Sequence, residues 1–466
     1  MGFGISVLYF VTYYLTPTTV FGPLAVVRIQ LILAALAFIV SLPALIKSFA
    51  LKIPQSLALI GLALAVFLSV LIGMHWVGGA RDAFLGFIPN AFAFFLVCLH
   101  CNSKKKLQVL VLMLLFVCLF VIAHGSFDLL HGVPESNPAP GVALGDPLST
   151  GATASPYVLR QFTDADQWIY RLRGLGNIHD PNDFAQLIVC VTPLVFIFWR
   201  KKKRLWNFAV VILPVCVLVF GAYLTHSRGS LLALTAVVIV AARRRIGGLP
   251  SLLLAGGLFV AASTLHFTGG RDISANAGAG RTDLWGESMQ VFKTHPLFGV
   301  GFGNLGDYTE NGLTAHNSVA VCAAELGMFG LYFWSLFLFP TLRDALAIAS
   351  PQKVSQGGPI AAEDDLFPQA AWTIEEIDKA EFNRLGRLLV LSLTGFLIAG
   401  WFLSRAFVMT LFLLGGMTEV VFQMALQRGM IAPRLSQPRM LGYAGGMAVS
   451  LVLVMNIVLR ILNLMR

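Results

Sequence analysis

The sequence predicts an all-α fold: a polytopic transmembrane helical bundle of about 12–13 spans with two larger loops on one face. Three observations predict it. Hydrophobic residues make up 57% of the 466 residues and charged residues 12%, with a mean hydropathy of +0.78, more apolar surface than a water-soluble domain could bury. The apolar residues come in continuous runs, each near the ~20 residues a helix needs to cross ~30 Å of hydrocarbon. The runs do not alternate apolar and polar positions as transmembrane β-strands do.

The runs place spans at about 3–22, 28–49, 56–75, 83–100, 107–125, 182–199, 206–224, 229–243, 248–267, 315–340, 386–402, 406–426 and 441–460. They divide the chain into N-terminal spans (1–125), an outer loop (126–181), four spans (182–267), a larger outer loop (268–314), span ten (315–340), an inner loop (341–385) and C-terminal spans (386–466). The first run has neither a basic region before it nor a small-residue cleavage site, so it is expected to be retained. Lys47 and Lys52, Lys104 to Lys106, Arg200 to Arg204, Arg243 to Arg245, and Arg428, Arg434 and Arg439 each follow an even-numbered span. One orientation, with the N-terminus inside, therefore satisfies the bias of basic residues toward the cytoplasm. These signals account for the net charge of +10 without a nucleic-acid partner. The six cysteines lie mostly within spans, where a small thiol packs, and Cys98 and Cys101 lack a second pair at zinc spacing.

The first outer loop begins as a Pro/Gly/Ser/Ala-rich coil and gains aromatic and charged residues from Arg160 to an Asp-Pro-Asn at 180–182 that suits a helix start. The second outer loop runs from a Gly/Ala segment into a helical candidate, Arg281 to Phe292, and then HPLFGVGFGN. On the inner face Thr373 and Glu376 have capping-box spacing ahead of an amphipathic stretch.

Basic residues differ by face. The outer face carries Arg28, Arg81, Arg160, Arg171, Arg173, Arg228, Arg271, Arg281 and Arg405 but a single lysine, Lys293. Topology signalling depletes both types there, whereas guanidinium binds phosphate oxygens through paired hydrogen bonds and stays charged. For Arg28, Arg160 and Arg405 the expected role is pairing with outer aspartates or snorkelling to headgroups. Arg228 stands apart because THSRGS joins two spans with almost no loop, holding the arginine at the membrane surface. Arg281 opens a candidate helix whose first N–H groups also favour an anion, with local pairing to Asp283 as the alternative.

His316 and Asn317 start span ten directly after the Gly-rich approach. An ionisable group at such a boundary is a functional candidate. A neutral imidazole there can accept a hydroxyl proton, and neighbouring arginines would lower its pKa from the ordinary ~6.5. Asn317 could orient the ring or a substrate. Glu325, nine residues on, falls on roughly the opposite helix face. No HxxxH or HExxH pattern supports a zinc site, and GVGFGN lacks the GK[ST] of a phosphate-binding loop.

RLRGLGNIHDPNDFA, THSRGSLLAL, RTDLWGESMQVFKTHPLFGVGFGN and AHNSVAVCAAELGMFGLYF, spread over about 171–333, together resemble the O-antigen ligase and O-antigen polymerase superfamily of bacterial inner membranes. The resemblance implies a glycosyltransferase that takes a glycan from a polyprenyl (undecaprenyl) pyrophosphate carrier at the periplasmic face and joins it to a hydroxyl acceptor, with neither nucleotide sugar nor metal as cofactor. The acceptor would be a lipid A core, a growing glycan or a protein, and the spans would meet membrane lipids and the prenyl chain. Arg228 and Arg281 match the residues expected to grip the pyrophosphate, and His316 the one expected to activate the acceptor. Arg173 and Asn317 are further candidates for substrate contact. Two other classes compete: a transporter for an anionic solute, which predicts broken helices in matching halves, and a scaffold of an envelope-assembly complex.

Overall fold

The computed structural model describes residues 2–20, 28–47, 53–133, 155–162, 168–265, 267–269, 279–350 and 379–464. Its helices are α1 (Gly2–Leu15), α2 (Pro17–Val20), α3 (Ile29–Lys47), α4 (Pro54–Gly73), α5 (Val77–His100), α6 (Lys104–His131), α7 (Pro181–Leu194), α8 (Arg204–Asn207), α9 (Leu213–Leu224), α10 (Arg228–Ile246), α11 (Gly248–Thr264), α12 (Ala279–Thr294), α13 (Ser318–Ala349), α14 (Lys379–Gly400), α15 (Met409–Gln427) and α16 (Gln437–Leu464). Ten described helical segments are long and apolar enough to cross a membrane, the C-terminal α16 among them. The other three expected spans are also helical but fall short in different ways. α1 stops where Thr16 takes a positive φ of 40°, α11 has 17 residues, and α10 opens on Arg228 and closes on three arginines. The capping box at Thr373 and Glu376 lies outside the described residues.

The helical bundle is as expected, with two local departures. A short hairpin accompanies it: β1 (Val158–Phe162) and β2 (Trp168–Leu172) pair antiparallel, with Val158 opposite Leu172. Their β-branched and aromatic residues, VLRQF and WIYRL, suit a pleated surface, but each strand is too short to stand out beside runs of about twenty apolar residues. Span ten is also not one uninterrupted helix. Gly327 breaks it with φ 66° and ψ −166°, and the HPLFGVG segment crosses the break. Val300 and Gly301 donate N–H bonds to the carbonyls of Ala324 and Glu325 at 3.0 and 3.1 Å, while Met328 and Phe329 donate to Pro296 and Leu297 at 2.8 and 3.1 Å. Irregular backbone at this depth is tolerated because each freed group finds a protein partner. The Glu325 carboxylate accepts from the N–H groups of Gly303 and Leu305, so it anchors the same loop.

Span seven contains a second irregularity with a local cause. Pro214, in the first turn of α9, has no N–H to donate, and a π-helical turn at Phe208–Ile212 precedes it.

The inner helices α7, α13 and α15 are mostly buried, whereas α3 and α16 expose most of their apolar surface, as lipid-facing helices do. α14 sits among α7, α10, α13 and α15. Its glycines permit the approach: a Cβ on Gly386 would lie 2.4 Å from the Ala349 nitrogen, and one on Gly395 2.6 Å from Val189. Small residues allow such packing where lipid and core are equally apolar. At the basic end, Arg434 bonds Asp344 of α13 at 2.6 Å and also pairs with Glu419 of α15, closing the two central helices with paired buried charge.

At the break in α13, a Cβ on Gly327 would lie 2.3 Å from the Leu297 backbone at a positive φ. Gly327→Ala should therefore lower stability by about 2–3 kcal/mol or more, seen as a lower thermal midpoint of the detergent-solubilised protein. Gly286→Ala in α12, where nothing lies within 4 Å, should leave it unchanged or slightly raised.

Candidate active site

Four helices begin at one end of the bundle, and each brings part of one cluster. α7 begins after Asp180, whose carboxylate caps it by accepting the Asn182 N–H at 2.7 Å. α10 begins with Arg228 itself, after the capping Ser227. Arg281 lies in the first turn of α12. α13 begins after Asn317, and His316 immediately precedes that cap. Unsatisfied N–H groups and the positive ends of helix dipoles make such an end favourable to an anion.

Electrostatic coupling identifies the groups that face one another. Arg281 feels Arg228 and Asp180, and His316 feels Arg281, Asp180 and Arg405. Burial lowers the His316 pKa below the ordinary imidazole range, the Arg281 and Arg405 charges lower it further, and Asp180 opposes them. Burial and the Arg228 charge likewise lower that of Arg281, with Asp180 offsetting them. Asp180 is thus the carboxylate shared by the candidate base and the candidate anion-binding arginine.

The link between α14 and α15 holds the histidine in place. Ser404 Oγ accepts the His316 N–H at 2.9 Å and hydrogen-bonds Thr314 Oγ1 at 2.7 Å. Ser318 Oγ donates to the Leu403 carbonyl at 2.8 Å and accepts the Arg405 N–H at 3.2 Å. Asn317 is engaged on both sides of its amide: Oδ1 accepts the Val319 and Ala320 N–H groups at 2.9 and 3.0 Å, and Nδ2 donates to the Trp401 carbonyl at 3.0 Å. It is fully buried, so it serves as the helix cap beneath His316. These bonds support a left-handed backbone at His316, φ 47°, which costs a non-glycine residue about 1–3 kcal/mol. Such strain recurs at functional sites.

Arg405 pairs with Asp183 of α7, as its expected role required. Burial works against its charge, but Asp183, with Asp180 and Tyr13 adding to it, more than offsets burial and raises its pKa. Arg173 is turned to the hairpin. Its Nε and Nη2 donate to the carbonyls of Pro156 and Ser155 at 3.1 and 3.2 Å, and burial lowers its pKa. Among the described residues no group of three or more His, Cys, Asp or Glu is placed to hold a metal ion.

Sequence reasoning treated Asp180 as a helix start and did not single out Arg171. Arg171 is 2% exposed, and its guanidinium donates to the Thr225 carbonyl at 2.8 Å, Gln161 Oε1 at 2.6 Å and Asn182 Oδ1 at 3.0 Å. It thereby ties the hairpin to the turn before Arg228 and to the start of α7. The available sequence signal was its place in RLRGLGNIHDPN, nine residues before Asp180. Arg171→Met should destabilise the protein by about 2–4 kcal/mol through these lost bonds. Arg81→Met, which removes an exposed pair with Asp82, should change stability by less than about 0.5 kcal/mol; thermal unfolding in detergent compares them.

A family model described as O-antigen ligase matches residues 215–335, an interval that contains Arg228, Arg281 and His316 and ends just past the break in α13. No curated protein matches the chain in sequence. Within those residues the chain is similar to the O-antigen ligase family, and a bundle of apolar helices surrounds the matched segment.

Proposed function

We propose that the protein transfers a glycan from a polyprenyl pyrophosphate carrier to a hydroxyl acceptor at the periplasmic face of a bacterial inner membrane. The observation that carries this reading is the electrostatic cluster of His316, Arg281, Arg228 and Asp180 at a shared end of four helices. Arg228 and Arg281 bind the pyrophosphate. His316, held neutral by burial and by the adjacent cations, takes the acceptor's hydroxyl proton. The acceptor oxygen forms its bond to the anomeric carbon from the face opposite the pyrophosphate oxygen. The carbon–oxygen bond to the carrier breaks, and its electron pair leaves on the pyrophosphate, where two guanidinium groups stabilise the charge. The product has inverted anomeric configuration, and neither nucleotide sugar nor metal takes part.

Ligase, polymerase and protein O-oligosaccharyltransferase share this donor chemistry and differ in acceptor. The transporter reading has one feature in its favour, the broken α13. In transporters, the freed backbone of a broken helix contributes to the substrate or ion site; here residues 296–301 supply hydrogen bonds across the break, which favours the transferase.

The test is transfer by purified protein from a polyprenyl-pyrophosphate glycan to lipid A core, glycan or peptide acceptors, with EDTA present. Wild type should give product with one acceptor class, and that class identifies the reaction. His316→Ala should lower kcat by about 10²–10⁴-fold, and Arg228→Gln or Arg281→Gln by about 10²–10³-fold. Failure with every acceptor, together with carriage of the lipid-linked glycan across proteoliposomes, would replace the transferase with a transporter.

The pH profile tests the cluster separately. Protonation of His316 removes the base, so activity falls on the acid side. Arg281→Gln removes a cation that lowers the imidazole pKa and should move that acid limb to higher pH. Asp180→Asn removes an anion that raises the pKa and should move it to lower pH. Displacements of the opposite sign would exclude His316 as the base.

A further inference from the structure

Trp285 carries an N–H that no described protein group accepts. It lies in α12, four residues after Arg281, so the two side chains leave one face of the helix with Cβ atoms about 5–6 Å apart. The residue is only 5% exposed, and among the described residues its Nε1 is buried without a hydrogen-bond partner. Tryptophan is a donor only, and its N–H usually finds an acceptor when buried. A dry, unpaired donor is costly to keep and calls for an explanation.

The surroundings of Trp285 tie it to both sides of the transfer cluster. On one side is Arg281, which couples to Arg228, Asp180 and His316. On the other, the Trp285 ring meets the Trp401 ring edge to face, with centroids 6.2 Å apart and planes at 81°. The Trp401 carbonyl accepts the Asn317 amide at 3.0 Å, so the residue that packs on Trp285 also secures the cap beside His316. Trp285 is thereby linked to the arginine side through its own helix and to the histidine side through Trp401. A pyrophosphate held by Arg281 brings many acceptor oxygens to this place. Hydrogen bonds to a charged acceptor are the stronger kind, and a neutral donor adds one without a third positive charge to repel the two guanidinium groups.

We infer that the Trp285 N–H donates to a phosphate oxygen of the bound polyprenyl pyrophosphate, beside Arg281. This rests on the transferase reading and adds a neutral donor to the two arginines. Because the nitrogen is covered, an oxygen reaches it only when a covering side chain moves, so binding includes a local rearrangement. The test is binding of undecaprenyl pyrophosphate to the full chain in detergent, read from its thermal midpoint as ligand is added, with undecaprenol as the control that lacks phosphate. Trp285→Phe keeps an aromatic ring and removes the N–H. Benzothienylalanine incorporated in place of Trp285 keeps the shape of the indole and replaces only the N–H with sulfur, so it separates a lost bond from a packing defect. Both should raise the half-saturating concentration roughly 10–100-fold, the range of a hydrogen bond to a charged group. The indole N–H resonance that Trp285→Phe removes should move downfield when undecaprenyl pyrophosphate is added to the wild type. If the wild type binds and transfers but the benzothienylalanine protein binds equally tightly, the inference is overturned and the transferase reading stands. A wild type that neither binds undecaprenyl pyrophosphate nor transfers glycan overturns that reading, and the inference with it. Weakening seen only with the glycan-bearing carrier would assign the N–H to the glycan and overturn the pyrophosphate assignment.

Discussion

The geometry of the cluster depends on one buried guanidinium. Arg171 joins a β-hairpin, the turn that ends in Arg228, and the start of α7 that carries Asp180. These segments belong to separate parts of the chain, and none has enough local structure to set its own position. A planar donor with five N–H groups can hold three acceptors in fixed directions, which a lysine ammonium at the same place could not. The second support is the 401–408 link, whose Ser404 hydroxyl and Trp401 and Leu403 carbonyls secure His316 and the residues on both sides of it. One lashing positions the arginine side of the cluster and the other the histidine side.

The bundle was legible in the sequence because crossing hydrocarbon demands long apolar runs, and each expected run falls on a helix. The candidate residues Arg228, Arg281 and His316 were legible for the complementary reason: charge beside apolar spans is costly and stands out. Asp180 was legible only as a helix start and Arg405 only as a charge to be paired, because what distinguishes them is spatial. Asp180 couples to residues 101 and 136 positions away in the chain, Arg281 and His316. The hairpin escaped because its strands are five residues each. The break in α13 could not be placed from composition, since AELGMFG carries a glutamate and two glycines without saying which would open the helix, and the break is stabilised by contact with residues 296–301.

Asn317 shows how function and support divide within a motif. Adjacent to the candidate base and equally suggestive in sequence, it uses both ends of its amide on the backbone. Its contribution is the start of α13, and hence the place from which His316 departs. Arg173 is similar, holding the base of the hairpin through carbonyls. In both cases the backbone bonds fix where the side chain lies.

The crossing of α13 by the Gly-rich segment also sets an order of events during biogenesis. Residues 296–305 leave the ribosome before α13, yet the backbone groups on both sides of Gly327, and the Glu325 carboxylate between them, take their partners from that earlier segment. When span ten enters the bilayer, these groups can be satisfied only after the 296–305 segment has folded back onto it. Completion of the central helix is therefore a late step of assembly, and a chain arrested before the loop returns would carry an unshielded acidic group in lipid, the kind of defect that membrane quality control removes.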